Sequence, residues 1–197
     1  QGGAARTTPT EQDKKFGPRV PAVGISWSQD QKKFALTRTD QRKVADLWVI
    51  NALANPRPRL ETYKYGMPGE ENQPQEEAWA FDIATKKGVK LQTDAFKDQQ
   101  MDLNTAPLTN LQREKQETES RWLTVDGSKV YFNRTARDLK RIDIVESDTT
   151  TGESKVIIPE RANTYIEIQP LRTLKTATGA TQLIHWSERD GWGHYYL

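Results

Sequence analysis

The chain has 197 residues, of which 35% are hydrophobic, and its 29 basic and 27 acidic residues give a formal net charge of +2. This near balance argues against a nucleic-acid-binding domain, which would carry a clear basic excess. The absence of cysteine excludes a disulfide framework, a thiolate metal site and a cysteine nucleophile, and no apolar run is long enough for a membrane-spanning helix.

Residues 1–21 are rich in glycine, threonine, proline and charged side chains, and this composition predicts an N-terminal tail or linker. Ordered structure is expected from residue 22 onward. Residues 22–40 predict a hairpin, because one apolar run ends at Trp27, a polar turn follows, and a second run starts at Phe34.

The next segments alternate between apolar runs and proline-rich stretches. Residues 46–51 (DLWVIN) form a continuous apolar run, which is typical of a strand covered on both faces. Residues 60–65 (LETYKY) lie between prolines and predict an extended edge segment, because proline is excluded from central strands. Residues 76–94 predict a second hairpin, with Lys87 and Gly88 in its turn.

The second half of the chain repeats the hairpin pattern. Residues 108–121 are polar and predict a short helix or an exposed crossing. Asp126-Gly127 stands between two β-rich runs, as a tight hairpin turn requires. Residues 141–160 predict a further hairpin, with Gly152 in its turn.

The C-terminal part of the sequence predicts more strands. Residues 163–188 contain two or three, with Thr178-Gly179 as a turn. A polar turn over 187–191 then leads into the run 195–197, where the given sequence stops. A hairpin interrupted at that point leads us to expect that the chain is a slice of a larger protein.

About ten short strands at this spacing predict an all-β sandwich, barrel or propeller. Three stretches share one plan, in which an aromatic strand end and a polar turn precede a second strand: SWSQDQKKFALTR, RWLTVDGSKVYFNR and HWSERDGWGHYYL. Internal repeats of this kind favour a propeller, because a chain of this length can hold about four blades of about 40–45 residues each. We therefore predict an incomplete β-propeller of roughly four antiparallel blades over residues 22–197.

Two motifs carry a resemblance to a known family. They are ETYKYGMPGEEN, whose Tyr-x-x-Pro-Gly loop precedes an aromatic strand, and WSERDGWGH near the C-terminus. With the stretch that begins SWSQDQKKFALTRTD, they make residues 20–197 resemble the N-terminal propeller of bacterial dipeptidyl peptidase IV-like enzymes. These enzymes belong to the prolyl oligopeptidase family of serine peptidases.

The resemblance implies a secreted, periplasmic or envelope-bound parent enzyme with a C-terminal α/β-hydrolase domain. That domain would hold the catalytic serine, aspartate and histidine, and would release N-terminal dipeptides with proline or alanine in second place. The propeller would gate access for short peptide substrates. We expect no cofactor, and the charge balance and the lack of a long apolar run lead us to expect no nucleic-acid or membrane contact for this segment. The resemblance includes a homodimeric parent among the expected assemblies.

We expect no catalytic residue in this chain itself. The nucleophile elbow Gly-x-Ser-x-Gly is absent from the sequence. The two histidines, His185 and His194, lie in the last predicted hairpin, near Ser187 and Asp190. These four side chains could form a small catalytic constellation, but strand packing and turn formation are the favoured interpretation.

The family anchors the substrate amine with a glutamate pair, because an ammonium group in a closed cavity needs carboxylates to replace its water. The pairs Glu70-Glu71 and Glu76-Glu77 do not stand where the family carries its anchor, so we interpret them as solvated charges. Arg172 is the one candidate for substrate binding, because it could face the central cavity of the propeller.

No metal site is expected, because no carboxylate pattern with ligand spacing accompanies the histidines. Packing between blades needs an aromatic ring in every blade, which favours a core position over ligand stacking for most of the six tryptophans. Trp192 is the indole most expected to be exposed. Two rival functions stay open. One is a stand-alone propeller adaptor that binds proteins or peptides without catalysis, and the other is a glycan-binding β-domain that uses Trp192 and Tyr195.

Overall fold

A computed structural model gives the structure of residues 24–107, 120–178 and 181–197. Those residues form fifteen β-strands and no helix. In chain order the strands are β1 (Ser26–Trp27), β2 (Lys33–Asp40), β3 (Asp46–Asn51), β4 (Arg59–Lys64), β5 (Gln75–Asp82), β6 (Lys87–Lys90), β7 (Gln100–Leu103), β8 (Thr105–Pro107), β9 (Ser120–Trp122), β10 (Lys129–Thr135), β11 (Arg141–Asp148), β12 (Ser154–Arg161), β13 (Arg172–Lys175), β14 (Thr181–Ser187) and β15 (His194–Tyr196).

Three sequence predictions fall on residues that the structure does not describe. They are the tail over 1–21, the helix or crossing over 108–119, and the glycine of the Thr178-Gly179 turn. In the described ranges, no helix is long and apolar enough to cross a membrane.

The largest sheet has six strands in the order β6-β5-β2-β1-β9-β8. It contains the two hairpins predicted around Trp27 and in the 76–94 stretch, and β2 pairs with β5 along its whole length. A parallel bridge between Trp27 and Arg121 joins β1 to β9. The sheet therefore combines strands from both sides of β7 in the sequence.

A four-stranded antiparallel sheet lies at the centre of the fold, with the order β12-β11-β10-β7. The predicted hairpin over 141–160 is its β11–β12 pair, and Gly152 occupies the turn with a φ of 79°. A side chain would also lack space there, because a Cβ on Gly152 would lie 2.4 Å from the backbone oxygen of Lys90. Turn geometry and close packing against the six-stranded sheet thus both require glycine.

Two buried clusters show how the sheets stack on the four-stranded sheet. The first joins it to the six-stranded sheet and contains Ala35, Ala78, Ala80, Leu91, Met101, Trp122, Val130, Phe132 and Val145. The second lies on its other face, where Tyr131, Ile144 and Leu171 pack with Leu183 of the three-stranded sheet β13-β14-β15. Successive residues of β10 point to opposite clusters, as the two-residue period of a strand requires. Face-to-face stacking of this kind is the packing that a propeller uses.

The β3–β4 hairpin forms a separate two-stranded sheet, and this corrects one prediction. Residues 46–51 were expected to be covered on both faces. Instead Trp48 is 64% exposed and Leu60 on the partner strand is equally exposed. An apolar run alone does not show whether a neighbouring sheet covers it.

Two predicted turns also differ from the structure. In the β5–β6 hairpin the turn precedes Lys87 and Gly88, which lie within β6. Asp126-Gly127 does form a turn, with a φ of 63° at the glycine, but it closes no hairpin. β9 pairs with β1 and β8, whereas β10 pairs with β7 and β11, so this turn carries the chain from one sheet to the next.

The prediction of an all-β, incomplete β-propeller of roughly four antiparallel blades is confirmed. The described strands form four sheets that are antiparallel except for the bridge between β1 and β9. They do not close into a barrel. The sheets differ in their number of strands more than the internal sequence repeats indicated.

Candidate functional site

A cavity of about 420 Å³ lies between the four-stranded sheet and the three-stranded sheet. We call it the interblade cavity. Its walls come from β10, β11, β12 and β14, and from the segment 162–169 that connects β12 to β13. This connection follows the end of one sheet and leads to the start of the next, so the cavity sits at the junction of two successive blades.

Buried Glu160, at the end of β12, organises the polar side of the interblade cavity. The Ser187 hydroxyl donates to Glu160 Oε2 at 2.8 Å, and the Arg189 guanidinium donates to Oε1. Arg189 also lies over the Tyr196 ring, 4.4 Å from its centroid. The carboxylate is therefore neutralised by one arginine and hydrogen-bonded across the blade junction, as a buried charge requires.

His185 on β14 faces the same carboxylate. It is only 6% exposed, and its Nε2 lies 3.2 Å from Glu160 Oε1. Both ring nitrogens are buried. Burial lowers the pKa of His185, and the nearby Arg189 cation acts in the same direction, while Glu160 opposes both. The imidazole is therefore neutral near pH 7.

The four side chains considered as a catalytic constellation, His185, His194, Ser187 and Asp190, do not assemble into a nucleophile and base. The Ser187 hydroxyl donates to Glu160 instead of to an imidazole. His194 is exposed, and its Nε2 lies 3.8 Å from Asp190 Oδ2 in the last turn. A serine nucleophile needs a hydrogen-bonded base, so these contacts support packing and turn formation.

The part of the lining that comes from β10 and β11 is both polar and apolar. Ile142 and Ile144 of β11 are 3% and 1% exposed, and Asn133 of β10 pairs with Ile144. Arg161 also lines the cavity, and its guanidinium binds Asp143 Oδ1 at 2.7 Å. Buried Arg134 binds the other oxygen of Asp143 at 2.9 Å, so this carboxylate is held between two cations.

The segment 162–169 covers the cavity and is held by main-chain hydrogen bonds to the β10–β11 turn. Ala162 donates to the Lys140 carbonyl at 3.0 Å, and Ile166 donates to the Leu139 carbonyl at 2.9 Å. Tyr165 between them is 63% exposed. The segment thus places an exposed aromatic ring beside a cavity that is lined by buried Glu160 and His185 and by exposed Glu167 and Glu188.

Arg172, the substrate-binding candidate from the sequence, is exposed at the start of β13, where it pairs with Ile184 of β14. It is not part of the wall of the interblade cavity. Its role in substrate binding stays a prediction.

Three of the four glutamates in the two pairs, Glu70, Glu76 and Glu77, have partners among the described residues. Glu70 accepts from the Met67 main chain at 2.9 Å. Half-buried Glu76 accepts from the Met101 main chain, and burial raises its pKa. Glu77 binds Lys90 at 2.6 Å and Arg38 at 2.9 Å, and the hydrogen bond from Lys90 lowers its pKa. Glu76 and Glu77 are thus partly buried, contrary to the interpretation as solvated charges.

The tryptophans divide between packing and exposure. Trp122 is fully buried in the first cluster, and Trp27 packs its ring 5.3 Å from Phe34. Trp192 is 76% exposed, as predicted, whereas Trp48 is an exposed indole that sequence reasoning assigned to packing. No group of three metal-ligating side chains occurs within residues 24–107, 120–178 and 181–197.

Sequence reasoning missed the partnership between Glu160 and His185. The two residues are far apart in sequence, and Glu160 follows an apolar run that carries no ligand motif. The signal that was available is local: a histidine and a serine alternate on β14 and so point to one face. Only the stacking of two sheets brings the glutamate to that face.

A protein-family model described as "Dipeptidyl peptidase IV (DPP IV) N-terminal region" matches residues 22–197. The match covers all fifteen strands.

Two solved structures share the fold. One is assigned as a dipeptidyl aminopeptidase IV from Bacteroides ovatus ATCC 8483, with a TM-score of 0.63, 23% identity and 87% of this chain covered. The other is dipeptidyl peptidase 4 of Porphyromonas gingivalis, with a TM-score of 0.59, 17% identity and 87% coverage. The chain spans about a fifth of those proteins, since the matched region is 22% of each.

Proposed function

Because this chain belongs to the family of dipeptidyl peptidase IV N-terminal regions, we propose that it forms part of the substrate-gating propeller of a serine exopeptidase. The parent protein releases N-terminal dipeptides of the Xaa-Pro or Xaa-Ala type. The family match over residues 22–197 is the observation that carries this proposal.

The residues present decide which part of the parent protein is assigned bond cleavage and which part is assigned substrate gating. A serine peptidase needs a nucleophile with a hydrogen-bonded base, and the described part of this chain shows no such pair around its histidines. The proposal therefore assigns bond cleavage to a C-terminal α/β-hydrolase domain of the parent. This chain contributes stacked sheets, which restrict entry to short peptides.

The expected setting also comes from the family. We propose a periplasmic, envelope-bound or secreted parent, which acts on short peptides. A homodimeric parent is part of the proposal, and the exposed β3–β4 hairpin offers apolar surface for such a contact, including Trp48 and Leu60.

The test is hydrolysis of chromogenic dipeptide substrates by the full-length protein. We expect cleavage of Ala-Pro-p-nitroanilide and Ala-Ala-p-nitroanilide, and loss of cleavage when the Ala-Pro substrate carries an N-acetyl group. The N-acetyl substrate is the matched control, because it retains the scissile bond and removes the amine.

A full-length protein that cleaves neither free-amine substrate would contradict the exopeptidase proposal. The second candidate, a stand-alone adaptor that binds proteins or peptides, is supported by the exposed apolar side chains of the β3–β4 hairpin. Absence of cleavage together with saturable binding of a peptide by the same protein would favour the adaptor.

A further inference from the structure

Two side chains that can carry a positive charge meet at one buried carboxylate oxygen in the blade junction. Glu160 Oε1 accepts from the Arg189 guanidinium and lies 3.2 Å from His185 Nε2. The other oxygen of Glu160 accepts from the Ser187 hydroxyl at 2.8 Å. The carboxylate therefore has Arg189 as its cationic partner while His185 is neutral, and it has a second group within hydrogen-bond distance that becomes a cation in acid.

From this geometry we propose that the junction contains a pH-sensitive switch, in which the cationic partner of Glu160 changes from Arg189 near neutral pH to His185 in acid. The exchange frees Arg189 and, with it, residues 188–193, which join β14 to β15 and which we call the last turn. The switch concerns how two successive blades are held together, and it does not depend on the proposed peptidase function.

Exposure decides which of the two cations leaves. Protonation of His185 places a second positive charge beside Arg189, and a buried site with two cations and one anion carries an uncompensated charge, which is costly. The Arg189 side chain is 43% exposed and can turn to water, whereas the His185 side chain is 8% exposed and is fixed on β14. The histidine therefore keeps the carboxylate, and the arginine leaves it.

The other cations of the junction do not enter this exchange. Arg161 of β12 is bound to an aspartate of β11 at 2.7 Å. Arg172 of β13 pairs with the residue before His185, so it lies on the other face of the sheet. Among the described residues, His185 and Arg189 are therefore the two cations that share Glu160.

The remaining acidic groups around the imidazole leave Glu160 as its counter-charge. Glu167 of the segment 162–169 and Glu188 of the last turn also line the cavity, but both are exposed. Solvent and salt screen exposed charges more strongly than buried ones. The Tyr196 hydroxyl on β15, the strand paired with β14, stays protonated in acid, because a tyrosine loses its proton only near about pH 10.

Arg189 ties the last turn to the preceding blade. Besides its bond to Glu160 on β12, its Nε lies 3.2 Å from Ser187 Oγ and its guanidinium lies over the Tyr196 ring. Within the last turn, the Gly191 main chain donates a hydrogen bond at 2.9 Å. Release of Arg189 removes the link to β12, so the amides of the last turn should open more often.

The test is hydrogen exchange, followed by mass spectrometry, on the full-length protein at about pH 8 and about pH 4.5, with rates corrected for the intrinsic effect of pH on amide exchange. These conditions lie on either side of the ordinary histidine pKa of 6.5, and burial lowers the pKa of His185 below it. We expect the last turn to exchange about tenfold faster in acid, a change that one pH unit of proton linkage can supply. β10 and β11 are the internal reference for global unfolding, and they should change less.

Three variants identify the groups involved. His185→Gln should abolish the acid response, because glutamine takes up no proton. His194→Gln is the matched control, since His194 belongs to the same hairpin but is exposed, and it should keep the full response. Arg189→Gln removes the group that moves, so the last turn should exchange fast at both pH values. This third variant changes an exposed side chain, so the test stays decisive even if His185→Gln does not fold.

A structural readout needs no variant. In crystals of the full-length protein at the higher pH, Arg189 should contact Glu160 as it does here. At the lower pH, His185 should donate to Glu160 and the Arg189 side chain should point to solvent.

Three results would overturn the proposal: Arg189 stays on Glu160 in acid, the last turn exchanges at the same corrected rate at both pH values, or His194→Gln removes the acid response while His185→Gln retains it. None of these measurements involves peptide cleavage, so the switch can fail while the proposed function stands, and the reverse.

Discussion

The four-stranded sheet and the β3–β4 hairpin are both antiparallel, and both carry large apolar side chains, but only the sheet buries them. Phe132 on β10 is fully buried, whereas Trp48 on β3 is 64% exposed. The sheet has a neighbouring sheet on each face, and the hairpin strands pair only with each other in the described structure. Burial in this fold therefore comes from stacking between sheets and not from strand pairing.

The sharpest test of this difference removes one ring from each region. Phe132→Ala should lower the free energy of unfolding by about 3–5 kcal/mol, because it leaves a cavity between two sheets. Trp48→Ala should change it by no more than about 0.5 kcal/mol, as expected for a surface substitution. Urea denaturation followed by circular dichroism measures both. Equal losses for the two variants would show that the hairpin is packed against something in solution.

Local sequence signals predicted the hairpins of the stacked sheets, but they did not predict which side chains are exposed to solvent. Gly152 predicted its turn correctly, because a positive φ is a local requirement. Trp48 and Asp126-Gly127 were misjudged, because covering by a neighbouring sheet and the choice of partner strand are set by residues distant in sequence. The Glu160–His185 contact was missed for the same reason.

The comparison between the four-stranded sheet and the β3–β4 hairpin also applies to one carboxylate from each, which is buried in the first and exposed in the second. Asp143 is 3% exposed and lies between Arg134 and Arg161. Asp143→Asn should cost about 3 kcal/mol, because it leaves the buried Arg134 guanidinium without a counter-charge.

The matched variant is Asp46→Asn in the β3–β4 hairpin. Asp46 pairs with Lys64 at 3.0 Å, but both side chains are substantially exposed. Exposed pairs contribute about 0–1 kcal/mol, so the change in unfolding free energy should be correspondingly small. If both aspartates gave similar losses in the same urea titration, burial would not explain the difference between the regions.

The smallest expected effect is a dependence of stability on pH at the blade junction. Burial lowers the folded-state pKa of His185 below its ordinary value of 6.5, so the unfolded chain takes up this proton at a higher pH than the folded chain does. The stability that depends on neutral His185 is complete above about pH 6.5 and is lost as the pH falls through the folded pKa. One proton contributes at most about 1.4 kcal/mol per pH unit.

His185→Gln should flatten the decline in thermal stability between about pH 6.5 and the folded pKa. The groups that face His185 are Glu160 from β12 and Arg189 from the turn after β14, and both are unchanged in this variant. His194→Gln should leave the slope as it is, because His194 is exposed. An unaltered slope in His185→Gln would mean that another group titrates at the junction.

The parallel bridge between Trp27 and Arg121 has a consequence for how the protein can be divided. β8 and β9 complete the six-stranded sheet, yet they lie in sequence between β7 and β10 of the four-stranded sheet. The two sheets are therefore interleaved along the chain, and no single cut separates one from the other intact. During synthesis the six-stranded sheet cannot be completed until β8 and β9 are made, and these strands follow β7, the first strand of the four-stranded sheet. These two blades are therefore inherited, deleted or transplanted only together.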